Sequence, residues 1–148
     1  MFDEQYVVDF IIKAIKKGFN TKDWKDSFGG KSIKVTDDDY GEETMFPVIR
    51  IEIVDNHQTE KTYDSSQLIR YSTFWFEIEH FNQAVEKNGT NKVTLGRKIN
   101  AKIMEILQEE LNPHITRNSR IESPDPTIYR RLIEGYCKID NNTKTFYR

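Results

Sequence analysis

The stretch Thr73-Phe74-Trp75-Phe76-Glu77-Ile78-Glu79-His80-Phe81 constrains the fold most, because apolar and polar residues alternate along it with period two. Successive side chains of a strand point to opposite faces, so Phe74, Phe76 and Ile78 share one face, and Thr73, Trp75, Glu77 and Glu79 share the other. An apolar strand face needs a second layer, and the next periodic segment supplies one. Leu95, Ile99, Ile103, Ile106 and Leu107, continued by Leu111, fall on one helical stripe. The spacing predicts a helix from about Thr94 to Leu111, with Thr94 as N-cap and Asn112-Pro113 as its stop. A polar loop, Asn82 to Val93, joins strand to helix. Two further strands, Ile115 to Ser123 and Thr127 to Asp140, flank the turn Pro124-Asp125-Pro126.

The first half opens with another amphipathic helix, Asp3 to Lys17, whose stripe is Val7, Phe10, Ile11, Ala14 and Ile15. Acidic residues lead it, Lys16 and Lys17 close it, and Gly18 reads as its stop. Asn20 to Lys31 reads as a loop pinned to the core by Trp24 and Phe28. A short strand, Ser32 to Val35, and an acidic loop, Asp37 to Glu43, precede a strand from Phe46 to Val54. Ile49, Ile51 and Ile53 face inward there, Arg50 and Glu52 outward, and Pro47 sits at the start, where its missing N–H is tolerated. Asp55 to Gln67 reads as a loop or hairpin tip before a long central strand, Leu68 to Phe81. The expected architecture is a single two-layer α+β domain, an antiparallel or mixed sheet of at least four strands packed against two helices. A chain of 148 residues suits one domain with a real core.

Charge and cysteine content narrow the function classes. The net charge of −2 gives no overall positive field to recruit nucleic acid. Cys137 is the only cysteine, so an intrachain disulfide is excluded and a reducing compartment is expected. The N-terminal apolar run is broken by Asp9 and preceded by Asp3 and Glu4, which argues against a signal peptide, and no run approaches membrane-spanning length. Asp37, Asp39 and Glu43 offer oxygen ligands, but without EF-hand spacing they read as a solvated turn. His57, His80 and His114 lie on separate elements without ligand or triad spacing; His80 and His114 read as surface residues. Cys137 reads as a small buried hydrophobe. Gly29-Gly30-Lys31-Ser32 lacks the first P-loop glycine and precedes a strand, so a phosphate loop is rejected. Arg117, Arg120, Arg130, Arg131 and Arg148 read as cross-strand partners of Glu122, Glu134 and nearby acids. Trp75 stands out as an outward aromatic, which a second layer covers or a partner meets. Aromatics on a helix-flanked sheet are also found in RNA-recognition modules, although the glycine-aromatic ribonucleoprotein pattern is missing.

The helix Leu95–Leu111 followed by Asn118-Ser119-Arg120-Ile121-Glu122-Ser123-Pro124-Asp125-Pro126-Thr127-Ile128-Tyr129-Arg130-Arg131-Leu132 resembles the end of tail-terminator, or tail-completion, proteins of long-tailed bacteriophages. In that family an aromatic-rich strand precedes the helix, and a charged Asp/Pro turn leads into a long strand that often carries Tyr-Arg. Phe46-Pro47-Val48-Ile49-Arg50-Ile51 is similar to the family's early strand. The resemblance spans roughly residues 46–140. It implies a structural virion protein without catalytic site, cofactor or metal, made in the host cytoplasm and placed at the tail neck. Six subunits would form a ring that caps the tail tube, stops its polymerisation and meets the head–tail connector or stopper protein. In contractile tails the ring also meets the sheath. A head-completion or stopper protein and a small RNA-recognition-like module are the competing readings. No membrane contact and no tight nucleic-acid binding are expected, although DNA would pass through the ring.

Such a ring needs heterologous contacts, one patch against a different patch of the next subunit. Trp75 is one candidate. The loop Asn82–Val93, with Gln83, Glu86, Lys87, Asn88 and Lys92, is a second, together with the tip at Asp55–Gln67. The complementary patch is expected along the last strand, read as a sheet edge carrying Tyr129 and Arg131. The chain end, with Phe146, Tyr147 and Arg148, is expected to dock on the sheet or on a neighbour.

Overall fold

A computed structural model describes residues 4–38, 46–61, 69–140 and 145–146. Helix α1, Glu4–Phe19, is followed by the short α2, Lys22–Ser27, and strands β1, Lys34–Thr36, β2, Val48–Lys61, and β3, Ile69–Asn82. Helix α3, Lys92–Glu110, precedes β4, His114–Ile121, β5, Tyr129–Asp140, and β6, Thr145–Phe146. The strands form one mixed sheet in the order β1-β2-β3-β5-β4, with β6 paired to β5. Among the described residues only the β1–β2 pair is parallel. The result is the expected α+β arrangement, a curled sheet packed against helices.

Hydrophobic burial explains which side the helices take. Val7, Ile11 and Ile15 of α1 and Leu95, Ile99, Ile103, Ile106 and Leu107 of α3 join one core with Ile49, Ile51, Phe74, Phe76, Ile78, Ile133 and Ile139. Both predicted helical stripes are therefore the buried faces. Close approach, rather than chain termination, accounts for Gly18. Helix α1 continues through it to Phe19, and a Cβ there would lie 2.3 Å from Ile106 Cδ1. Gly96 plays the same part under Tyr129, whose Cδ1 would be 2.3 Å from an added Cβ.

Several boundaries differ from the sequence reading. The segment read as a loop from Asn20 contains α2, capped by Thr21, whose Oγ1 accepts from Trp24 N at 3.3 Å. Trp24 packs 4.7 Å from Phe19 and 5.6 Å from Phe28, so the pinning expectation holds. Helix α3 starts earlier than expected because Asn91, not Thr94, is the cap: Asn91 Oδ1 accepts from Thr94 N at 2.8 Å. Strand β2 runs on past Val54 to Lys61, where a loop was expected, by pairing with β3 across a register shift after Ile53. The tip beyond Lys61 and most of the acidic loop, including Asp39 and Glu43, lie outside the described residues. The predicted turn at Pro124-Asp125-Pro126 is closed by Asp125 Oδ1, which accepts from Thr127 N at 2.9 Å and from Thr127 Oγ1 at 2.7 Å.

Candidate assembly surface

Strand alternation and cross-strand register together define the sheet face opposite the core. Opposite partners repeat in rows. Asp55, Trp75, Tyr136 and His114 make one row, and Glu52, Glu77, Glu134 and Arg117 the next. Arg50, Glu79, Leu132 and Ser119 follow, then Val48, Phe81, Arg130 and Ile121. The core residues of α1 and α3 all meet the other side of the sheet, and among the described residues no helical layer lies on this one.

The rows differ in chemistry. In the first, the Trp75 and Tyr136 rings are 4.6 Å apart, and the Tyr136 and His114 rings stack at 5.0 Å. Trp75 and Tyr136 are half-buried and His114 is exposed, so the row is open to solvent along one side. In the second, three carboxylates stand directly opposite one another, an arrangement that destabilises a sheet through like-charge repulsion. The outer two have cations: Arg50 lies 3.1 Å from Glu52, and Arg117 lies 3.7 Å from Glu134. Glu77 makes no ion pair among the described residues. Its pKa is raised, first by desolvation and then by the charges of Glu134, Glu52 and Glu79, against a smaller lowering by the Arg50 charge. In the third row, Glu79 receives Arg130 Nη2 at 2.9 Å and has Arg50 Nη1 at 3.8 Å. Arg130 also covers the buried Phe81 ring at 5.6 Å.

The other candidate residues do not gather into one patch with Trp75. Gln83, Glu86, Lys87 and Asn88 are exposed, but their segment is not a slack loop. A Val85–Thr90 bridge closes it around a 3-10 turn, Glu86–Asn88, and Asn88 Nδ2 donates to Asp26 O at 2.7 Å, tying it to α2. Lys92 belongs to α3, and its ammonium donates to Pro126 O. At about 3.3 Å per residue, the seven positions from Trp75 to Asn82 put this segment roughly 23 Å away.

The expectation that the last strand is a sheet edge is wrong. Strand β5 lies between β3 and β4, and β6 pairs with its end, so the described edges are β1 and β4. Tyr129 is 1% exposed beneath α3, and the Arg120 guanidinium lies 5.0 Å over its ring. Arg131 donates from Nη1 to Tyr129 Oη at 2.9 Å and from Nε to Asn118 Oδ1 at 2.8 Å, which leaves it a packing role. Phe146 does dock on the sheet, opposite Ile139 and 4.6 Å from the Phe10 ring. Tyr147 and Arg148 lie outside the described residues. Of the cross-strand arginine pairs expected, Arg117–Glu134 forms, whereas Arg130 pairs with Glu79 and takes only the backbone oxygen of Glu122.

Two titratable side chains, His80 and Cys137, sit on the buried face of the sheet. His80, read as a surface residue, is buried and its Nε2 lies 3.1 Å from Asn100 Oδ1. The signal was in the alternation: His80 has the parity of Phe74, Phe76 and Ile78. Burial pushes its imidazole pKa down to about 4. The neutral ring donates from Nε2 to Asn100. Cys137 is buried, and desolvation pushes its thiol up to about 12, far from a reactive thiolate. Among the described residues no three His, Cys, Asp or Glu side chains could hold a metal ion, and no helix is long and apolar enough to cross a membrane. The chain matches no protein family and no curated protein sequence.

Proposed function

We propose that this chain is a structural assembly protein, a ring-forming terminator of a bacteriophage tail tube. In this role six copies close a ring at the head-proximal end of the tube, stop its growth, and offer the ring's other side to the connector or stopper protein. Its site is the virion neck, reached from the host cytoplasm during assembly, and its partners are itself, the tube protein and, in a contractile tail, the sheath. The order β3, α3, β4, β5 supports the reading, since it repeats the element order on which the sequence resemblance rests. The observation that carries it is the sheet face that has no helical layer among the described residues, with its ring row at Trp75, Tyr136 and His114. Aromatics on a sheet side without a helical layer suit a surface that another chain covers.

The ring row also suits base stacking, the feature that favours an RNA-recognition-like module. The neighbouring carboxylate row opposes it, because phosphates would approach Glu52, Glu77 and Glu134. Light-scattering mass and negative-stain images of the purified protein test the proposal. A six-subunit mass with ring-shaped particles is expected. A single-subunit mass without rings overturns it, and sub-micromolar, sequence-tolerant binding to a labelled single strand favours the nucleic-acid module instead.

A further inference from the structure

The charge of this chain nearly balances overall, yet a few charged side chains stand outside the ion pairs formed among the described residues. On the open sheet face Glu77 sits between Glu52 and Glu134 with no ion pair among the described residues. On the other side of the sheet, at the C-terminal end of α1, Lys16, Lys17 and Lys25 surround an open pocket of about 420 Å³ floored by Phe19 and Ile33. Among the described residues none of these three lysines forms an ion pair either. The two surfaces lie on opposite sides of the sheet, because α1 packs on its core face while the carboxylate row projects from the other. One subunit therefore presents an aromatic face with one carboxylate, Glu77, outside the ion pairs of its row, and a lysine-lined, apolar-floored pocket on the other side.

Resting on the ring reading above, we infer that the open sheet face docks a second copy of this chain. The Glu52–Glu77–Glu134 row receives the Lys16, Lys17 and Lys25 pole of the neighbour, and Trp75 packs beside that contact. The contact is heterologous, since neither surface complements itself, and repetition of one such contact generates a ring or an open filament rather than a two-fold dimer. Repulsion at Glu77, whose neighbours Glu52 and Glu134 already hold arginines, favours the docked state, where an incoming ammonium group relieves it. Lysine is suited to this role, because its flexible stem carries a compact charge with three donors.

Charge reversal and mixing test the inference. One variant carries Glu52→Lys with Glu77→Lys, and the other carries Lys16→Glu, Lys17→Glu and Lys25→Glu. Each alone should be folded by circular dichroism and should lose the ring in sedimentation, because its two surfaces now repel. Mixed one to one, the two changed surfaces complement each other and so do the two unchanged ones, so rings of alternating subunits should return. The milder Glu77→Gln, which is isosteric and removes repulsion within the subunit, should fold and should weaken the ring without abolishing it. High salt should dissociate the wild-type ring toward monomers. If the wild type forms rings and both reversed variants do as well, the docking inference is overturned and the ring reading stands. If the reversed variants lose the ring but mixing fails to restore it, the pairing of these two surfaces is overturned. A wild type that stays a single subunit overturns both.

Discussion

On the helix-covered side of the sheet, Phe74, Phe76, Ile78 and Ile133 are packed against α1 and α3 and fully removed from water. On the bare side, which has no helical layer among the described residues, the residues between them in sequence are Trp75, Glu77 and Glu79 with Glu134 and Tyr136 across the strand gap, half-buried and mostly charged. The same strands make both faces, so backbone propensity does not separate them. Packing does. The covered face is specified by volume and by the parity of the apolar residues, and a change there acts on folding. The other face contains a carboxylate row in which Glu52 and Glu134 hold arginines and Glu77 does not, and under the proposed function a change there acts on association. Under the proposed function, stability and assembly fall on opposite sides of one sheet.

The sharpest way to break this division is to cut into the covered side. Phe76→Ala should lower unfolding free energy by about 3–5 kcal/mol in urea titration, through lost transfer energy and the cavity left behind. A loss below about 1 kcal/mol would mean that the core is not where the burial pattern puts it. The next largest effect is a pH dependence carried by His80. Its folded pKa, about 4, lies below the ordinary value of 6.5, so the unfolded chain binds a proton in that window that the folded chain does not. The neutral buried ring is fully tolerated above the ordinary value. Stability is then lost as pH falls toward the folded pKa, by about 3 kcal/mol over the window. His80→Gln should flatten that part of the stability–pH curve, and an unchanged slope would remove His80 as its cause.

A third change probes how tightly α3 sits on the sheet. Gly96→Ala improves intrinsic helix propensity by about 1 kcal/mol, yet its Cβ meets the Tyr129 ring. Net destabilisation of about 1–3 kcal/mol is expected from overpacking, read from the thermal midpoint. A raised midpoint would show that Tyr129 moves aside freely.

The smallest effect has the opposite sign and lies on the bare side. Because the Glu77 pKa is raised, the folded state holds its proton more tightly than the unfolded state does. The resulting penalty is absent below the ordinary carboxylate value, appears as pH rises through the folded pKa, and persists at neutral pH. Glu77→Gln should therefore stabilise the subunit at pH 7, by less than about 1 kcal/mol, and leave it unchanged at low pH. Destabilisation at pH 7 would mean that Glu77 has a folding partner and that the row is not a docking surface.

The covered face was legible from the sequence because it obeys two simple periods. Val7, Ile11 and Ile15, Ile99, Ile103 and Ile106, and Phe74, Phe76 and Ile78 were all placed correctly by spacing alone. His80 was within reach of the same rule, but its polarity drew it to the surface. Helix α2 is six residues long, too short to show a period, and its Thr21 cap was its main signal. The bare face was only half legible. Trp75 could be placed outward, whereas the carboxylate row needs the register of β2 on β3 and β3 on β5, which joins Glu52, Glu77 and Glu134 from distant parts of the chain. Strand order misled in the same way. The last strand was read as an edge, but β4 and β6 return to pair with it, and nothing local to Tyr129 or Arg131 records that.

Sedimentation velocity of the wild type beside Trp75→Ala tests most directly whether the bare face carries assembly. Trp75 meets Tyr136 on that face and contributes nothing to the core cluster, so its loss should leave the subunit folded. Docking through this face predicts a six-subunit boundary for the wild type and a compact single-subunit boundary for Trp75→Ala. Six-subunit boundaries from both proteins, or single-subunit boundaries from both, would contradict it.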